Sequence, residues 1–105
     1  MPRLQFQTLS EPMYYILLAL ADECCGVDIM RRVTELSHER ISVGPGTLYT
    51  LLAKFEEAGV IMGTNSYGRK RAYIISPIGK ELLKKEYTRL HVMSDDGKNI
   101  MEGLK

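Results

Sequence analysis

Apolar positions change their rhythm as the chain proceeds. Ser10-Glu11-Pro12 combines an N-capping residue with a proline suited to a first helical turn. Met13, Tyr14, Ile16, Leu17, Leu20 and Ala21 then recur at helical spacing. This predicted first helix is apolar around much of its circumference, which implies burial on more than one side, a second chain included. Cys25-Gly26 interrupts the pattern. A second helix follows, with Ile29, Val33 and Leu36 on one stripe and Arg31, Arg32 and Glu35 outside it, ending near His38. Ile41-Ser42-Val43 alternates and predicts a very short strand.

A third helix is expected from Gly44-Pro45-Gly46 to Gly59. Beyond Gly59 the period drops to two. Val60-Ile61-Met62 and Ala72-Tyr73-Ile74-Ile75 read as strands around the turn Asn65-Ser66-Tyr67-Gly68, giving a β-hairpin. Its tip and return carry Arg69, Lys70 and Arg71 with no acid close in sequence. Ser76-Pro77 repeats the first helix start, and a long helical segment runs on to the C-terminus. There Leu83, Tyr87, Leu90, Ser94, Gly97, Met101 and Leu104 recur every three or four residues, as in a helix-pairing seam. Gly97 costs a helix interior up to about 1 kcal/mol, so Asp95-Asp96-Gly97 leaves a break open. Ser94 and Gly97 fall on the seam itself, where small residues let two helices approach, and a continuous helix of about 40 Å is expected.

Two helices, a short strand, a third helix and a basic hairpin are the layout of a winged helix-turn-helix, in which the third helix enters the major groove. The expected fold is mainly α with a small β-hairpin: a winged domain with an N-terminal arm over 1–76, and a C-terminal dimerisation helix over 77–105. At about 100° per residue, Leu48, Leu51, Leu52 and Phe55 share one face of the third helix. Gly46, Thr50, Ala53, Lys54 and Glu57 lie opposite, with Thr47 and Tyr49 flanking. The outer face near the N-terminus is small and hydrogen-bonding, and the helix N-terminus itself favours phosphate. Glu56 and Glu57 fall at the far end. Alone, such a helix reads as an ordinary amphipathic core helix. The basic hairpin changes that reading, since three cations and Tyr67 at a tip after this helix form a joint signal. Tyr73, inside the strand, reads as core. Arg31 and Arg32 read as surface charges first and phosphate contacts second.

The 105 residues suit one domain. The formal net charge is only +1, so local charge placement matters more than any global field. Cys24 and Cys25 are adjacent, and a disulfide between them would be strained and close almost no loop. Two reduced thiols in a cytosolic protein are the expectation, ahead of a redox sensor. Neither His38 nor His91 stands at a zinc-ligand spacing from them. The apolar run from Met13 to Ala21 is too short to span a bilayer and lacks signal-peptide flanks, so a soluble cytoplasmic protein is expected. No catalytic set, cofactor motif or glycine-rich phosphate loop emerges.

The stretches "LSEPMYYILLALADECCGVDIMRRVTEL", "ISVGPGTLYTLLAKFEEAGVI" and "GRKRAYIISPIGKELL" together resemble the PadR family of bacterial transcriptional regulators. The likeness covers roughly residues 9–90 and is most specific at Gly44-Pro45-Gly46-Thr47-Leu48-Tyr49 and at the Gly68-Arg69-Lys70-Arg71-Ala72-Tyr73 wing. It implies a homodimeric repressor, not an enzyme, on an inverted-repeat operator. Thr47, Tyr49, Thr50 and Lys54 would face the groove, and Tyr67, Arg69, Lys70 and Arg71 the backbone or minor groove. Tyr14, Leu17, Leu83, Tyr87, Leu90, Ser94, Gly97, Met101 and Leu104 would form the dimer interface. Some members bind planar aromatic compounds at the dimer centre, and Tyr14, Tyr15, Tyr87, Met93 and Met101 could line such a gap here. In one departure, Cys25-Gly26-Val27 stands where the family often has His-Gly-Tyr, so a tyrosine contact to the DNA backbone is missing from that corner. The rival classes are a winged-helix module that binds protein instead of DNA and a small-molecule sensor without DNA activity.

Overall fold

The computed structural model describes residues 8–64 and 71–104. Its elements run α1 (Glu11–Ala19), β1 (Cys24–Cys25), α2 (Gly26–Leu36), α3 (Pro45–Glu57), β2 (Ile61–Thr64), β3 (Ala72–Ile75) and α4 (Pro77–Gly103). Both serine-proline starts cap as expected: Ser10 Oγ accepts from the Met13 amide and Ser76 Oγ from the Gly79 amide. Ile16, Leu17, Leu20, Ile29, Val33, Leu48, Leu52, Phe55, Val60 and Ile61 fill a core shared by α1, α2, α3 and the sheet. Leu51, placed on the same face by its spacing, is only partly buried at the edge of this core.

The sheet is antiparallel with order β1-β3-β2. Its third strand is not Ile41–Val43, which forms no strand; it is Cys24-Cys25, paired with Tyr73 and Ala72. Ser37, fully buried, holds the Ile41 segment instead, accepting from the Ile41 amide at 3.1 Å. α1 also stops at Ala19, two residues before Ala21, which is exposed.

Two helix ends use the same device. After α3 the Gly59 and Val60 amides return to Glu56 O and Phe55 O, with Gly59 at φ +76°. After α2 the His38 and Glu39 amides return to Glu35 O and Thr34 O, but here a histidine takes the left-handed position at φ +53°. The turn after α3 is tied to the start of α4: Ser76 N donates to Val60 O at 2.9 Å and Ser76 Oγ donates to Gly59 O. Gly79 lies so close to the Val60 carbonyl that a Cβ there would overlap it. The end of α3 and the start of α4 therefore share one tightly tied corner.

α4 is continuous through Gly97. Its first half packs on the domain through Gly79, Leu82 and Glu86, and its second half is almost wholly exposed. The chain measures 55 × 36 × 21 Å along its principal axes, elongated accordingly.

Candidate nucleic-acid interface

Among the described residues nothing covers the outer face of α3. Leu48, Leu52 and Phe55 point inward, while Thr47, Tyr49, Thr50 and Lys54 are all exposed. The helix entry is bare: a Cβ placed on Gly44 or Gly46 meets nothing within 4 Å. Gly44 is the N-cap and supplies no side-chain capping bond, so this end is open to an incoming acceptor.

Tyr49 is half exposed, at 50%. Its ring leans across to α2, where the hydroxyl rests against Gly26 so closely that a Cβ on that glycine would collide with it. Nothing in the local sequence pattern marks this contact, because it joins two helices across the turn between them. Val27, next to that seat, is an exposed apolar side chain.

At the wing, Tyr67, Arg69 and Lys70 lie outside the described residues. Arg71 does not stand apart from acids, as the sequence spacing suggested. Its guanidinium lies 2.7 Å from Glu56 Oε2 at the end of α3 and 5.6 Å from the centre of the Tyr73 ring. Tyr73 itself is buried, as expected. The ion pair crosses β2 at Gly63, where a Cβ would come within 3.1 Å of the Glu56 carboxylate and 3.3 Å of Arg71.

The arginines of α2 are engaged. Arg31 pairs with Asp28 at 3.2 Å and Glu35 at 3.8 Å. Arg32 is not purely a surface charge: it is half-buried and donates to Ala19 O at 2.9 Å, closing the end of α1. The Cys25 thiol and Arg31 hold the Asp28 carboxyl below the usual range. Cys24 and Cys25 are both free and buried, and burial pushes the Cys24 thiol up, which keeps it protonated and unreactive.

Among the residues expected at a dimer interface, Tyr87, Leu90, Ser94, Met101 and Leu104 are exposed and Gly97 half-buried. Tyr14 and Leu83 are partly buried against their own core. Leu17 is a correction: it is 0% exposed inside its own domain and has no surface to offer a partner. α1 is apolar on most sides, so spacing alone could not tell its inner residues from its outer ones. Met93 and Ile100, which the seam left out, are exposed as well. They continue the Leu82 and Glu86 face at helical spacing, a signal that was present in the sequence. A cleft of about 410 Å³ opens between Leu18 of α1 and Leu83, Lys84, Tyr87 and Thr88 of α4.

α4 also carries a buried acid. Glu86, 3% exposed, accepts from the Leu9 amide at 2.9 Å and from Arg89 at 2.6 and 2.8 Å. Arg89 foremost, with the Leu9 amide, holds its carboxyl below the ordinary value against the opposing effect of burial. Among the described residues no group of three or more His, Cys, Asp or Glu could hold a metal ion. None of the described helices is long and apolar enough to cross a membrane.

The fold has many relatives. A PadR family transcription regulator from hypervirulent Clostridium difficile superposes with a TM-score of 0.74 at 18% identity, covering 88% of this chain and 99% of that one. A PadR-like transcriptional regulator from Bacillus cereus gives 0.70 at 22% identity over 90% and 92%. In sequence, an uncharacterized 37.1 kDa protein in transposon TN4556 of Streptomyces fradiae is 36% identical over 72 residues, 68% of this chain and 20% of that protein. The chain thus spans about a fifth of the length of that curated relative. The model of the transcriptional regulator PadR-like family matches residues 16–85, from the middle of α1 into α4. Those residues hold most of the winged core, from the second half of α1 through the sheet into α4, and the chain belongs to the PadR-like family of transcriptional regulators, a family of regulators and not of enzymes.

Proposed function

We propose that this protein binds double-stranded DNA as a homodimer and represses transcription from an inverted-repeat operator in the cytoplasm. The observation that carries the reading is the solvent face of α3, where a bare glycine entry leads into exposed Thr47, Thr50 and Lys54. Small hydroxyl groups and one cation on a helix with an open N-terminus suit the major groove, where side chains read base edges and amides meet phosphate. Arg69 and Lys70 supply backbone contacts from the wing, and Tyr67 accompanies them. The exposed half of α4, through Leu90, Met93, Gly97, Ile100, Met101 and Leu104, is the surface that a second copy covers.

The cleft beside Leu83 and Tyr87 opens towards the same helix, and a small apolar or aromatic effector seated there would shift α4 against α1 and so the spacing of the two reading helices.

The test is a mobility shift on duplex DNA from the upstream region of its own coding sequence, at low and at high salt. A complex that weakens with salt, and that a Thr47→Ala/Thr50→Ala/Lys54→Ala variant fails to form, supports the reading. Absence of any shift at low salt would identify a protein-interaction module instead.

A further inference from the structure

Arg71 lies at the base of the wing, and three features hold it to its own chain. Glu56 Oε2 lies 2.7 Å from its guanidinium, the Tyr73 ring lies under it at 5.6 Å, and Gly63 leaves the space in which the pair crosses β2. Glu56 sits at the last turn of α3 and is two-thirds buried at its side chain. If Arg71 swung to a phosphate, the Glu56 carboxylate would be left unpaired and facing a polyanion.

We propose that Glu56 is a specificity-determining residue: it keeps Arg71 in a neutral pair at the wing base, so that Arg71 makes no phosphate contact. The inference rests on the DNA-binding reading above. A cation already paired with a carboxylate displaces no counterion from DNA when the complex forms, and so adds nothing to sequence-independent affinity. The pair lowers binding to random sequence while Thr47, Thr50 and Lys54 keep their access to bases. It also fixes the wing to the end of the reading helix, since one partner belongs to each.

The experiment measures the slope of log K against log salt for the full-length protein on a short mixed-sequence duplex. Wild type, Glu56→Gln, Arg71→Ala and the double variant are compared, with thermal melts confirming that each is folded. Glu56→Gln frees Arg71, so its slope steepens by about 0.9 per bound protomer, and affinity rises roughly eightfold per protomer at about 0.1 M salt. Arg71→Ala keeps the wild-type slope, and the double variant loses the gain. A slope that flattens by about 0.9 per protomer in Arg71→Ala would place Arg71 on a phosphate and overturn the proposal. So would an unchanged slope in Glu56→Gln, or a gain that survives in the double variant. Failure of the wild type to bind any duplex would sink the DNA-binding reading itself, and this inference with it, before any variant is compared.

Discussion

The Tyr49 hydroxyl rests against the backbone of Gly26, and no side chain fits between them. One residue belongs to the first turns of α3, the other to the first turn of α2. Tyr49 is therefore a strut between α2 and α3, beside the groove contact proposed for it, and the glycine is what lets the strut seat.

Gly26→Ala should leave the protein folded, because the group it meets is the far end of a half-exposed side chain that can swing away. Its cost should appear in DNA binding, as an affinity loss of about tenfold, or about 1.4 kcal/mol. Thermal melts and binding titrations on the same samples check this. A large fall in melting temperature with unaltered binding per folded molecule would contradict it.

Glu86→Ala removes a buried carboxylate that satisfies Leu9 and Arg89 together, and should destabilise the fold by about 2 kcal/mol. The sign of its pH dependence follows from the lowered carboxyl. Its contribution is fully present above the unfolded glutamate value, about 4.3, and is lost as pH falls through the lower folded value. Stability measured by urea unfolding should therefore fall more steeply below about pH 4 in wild type than in Glu86→Gln. Parallel curves would remove Glu86 from the account of acid sensitivity.

His38 occupies a left-handed position that glycine takes after α3. Such a conformation costs a residue with a Cβ about 1–2 kcal/mol, partly offset by the flexibility that glycine adds to the unfolded chain. His38→Gly should raise stability by up to about 1 kcal/mol in denaturant unfolding. Destabilisation would mean that the imidazole makes a contact worth more than the strain.

In the proposed dimer the outer half of α4 is the surface that a second copy covers. Ile100→Glu combined with Met101→Glu places two charges on that surface, and sedimentation equilibrium should then show a monomer where wild type shows a dimer. The monomer should keep its helix content by circular dichroism, since neither residue is buried within its own chain. A dimer of undiminished strength would move the interface elsewhere.

Much of this was readable from the chain. Ser10 and Ser76 with their prolines, Gly59, and the switch of period beyond it located α1, α3, the wing strands and α4. What stayed hidden depends on long-range partners. A strand of two residues has no periodicity, so β1 at Cys24-Cys25 is defined only by the β3 edge it joins, while Ile41–Val43 alternates without finding a neighbour. Glu56 meets Arg71 across 15 positions of sequence. Glu86 is buried by a partner 77 positions away, the Leu9 amide that donates to it. Leu17 was misplaced because a helix apolar on most sides gives no phase.

In the proposed function two α3 helices read DNA together from one dimer. Hydroxyl-radical footprinting on the upstream region of its own coding sequence tests it most directly. Two protected patches are expected on one face of the duplex, their centres about one helical turn or 34–36 Å apart, both lost in the Ile100→Glu/Met101→Glu variant. A single protected patch, or protection that the monomeric variant reproduces in full, would contradict it.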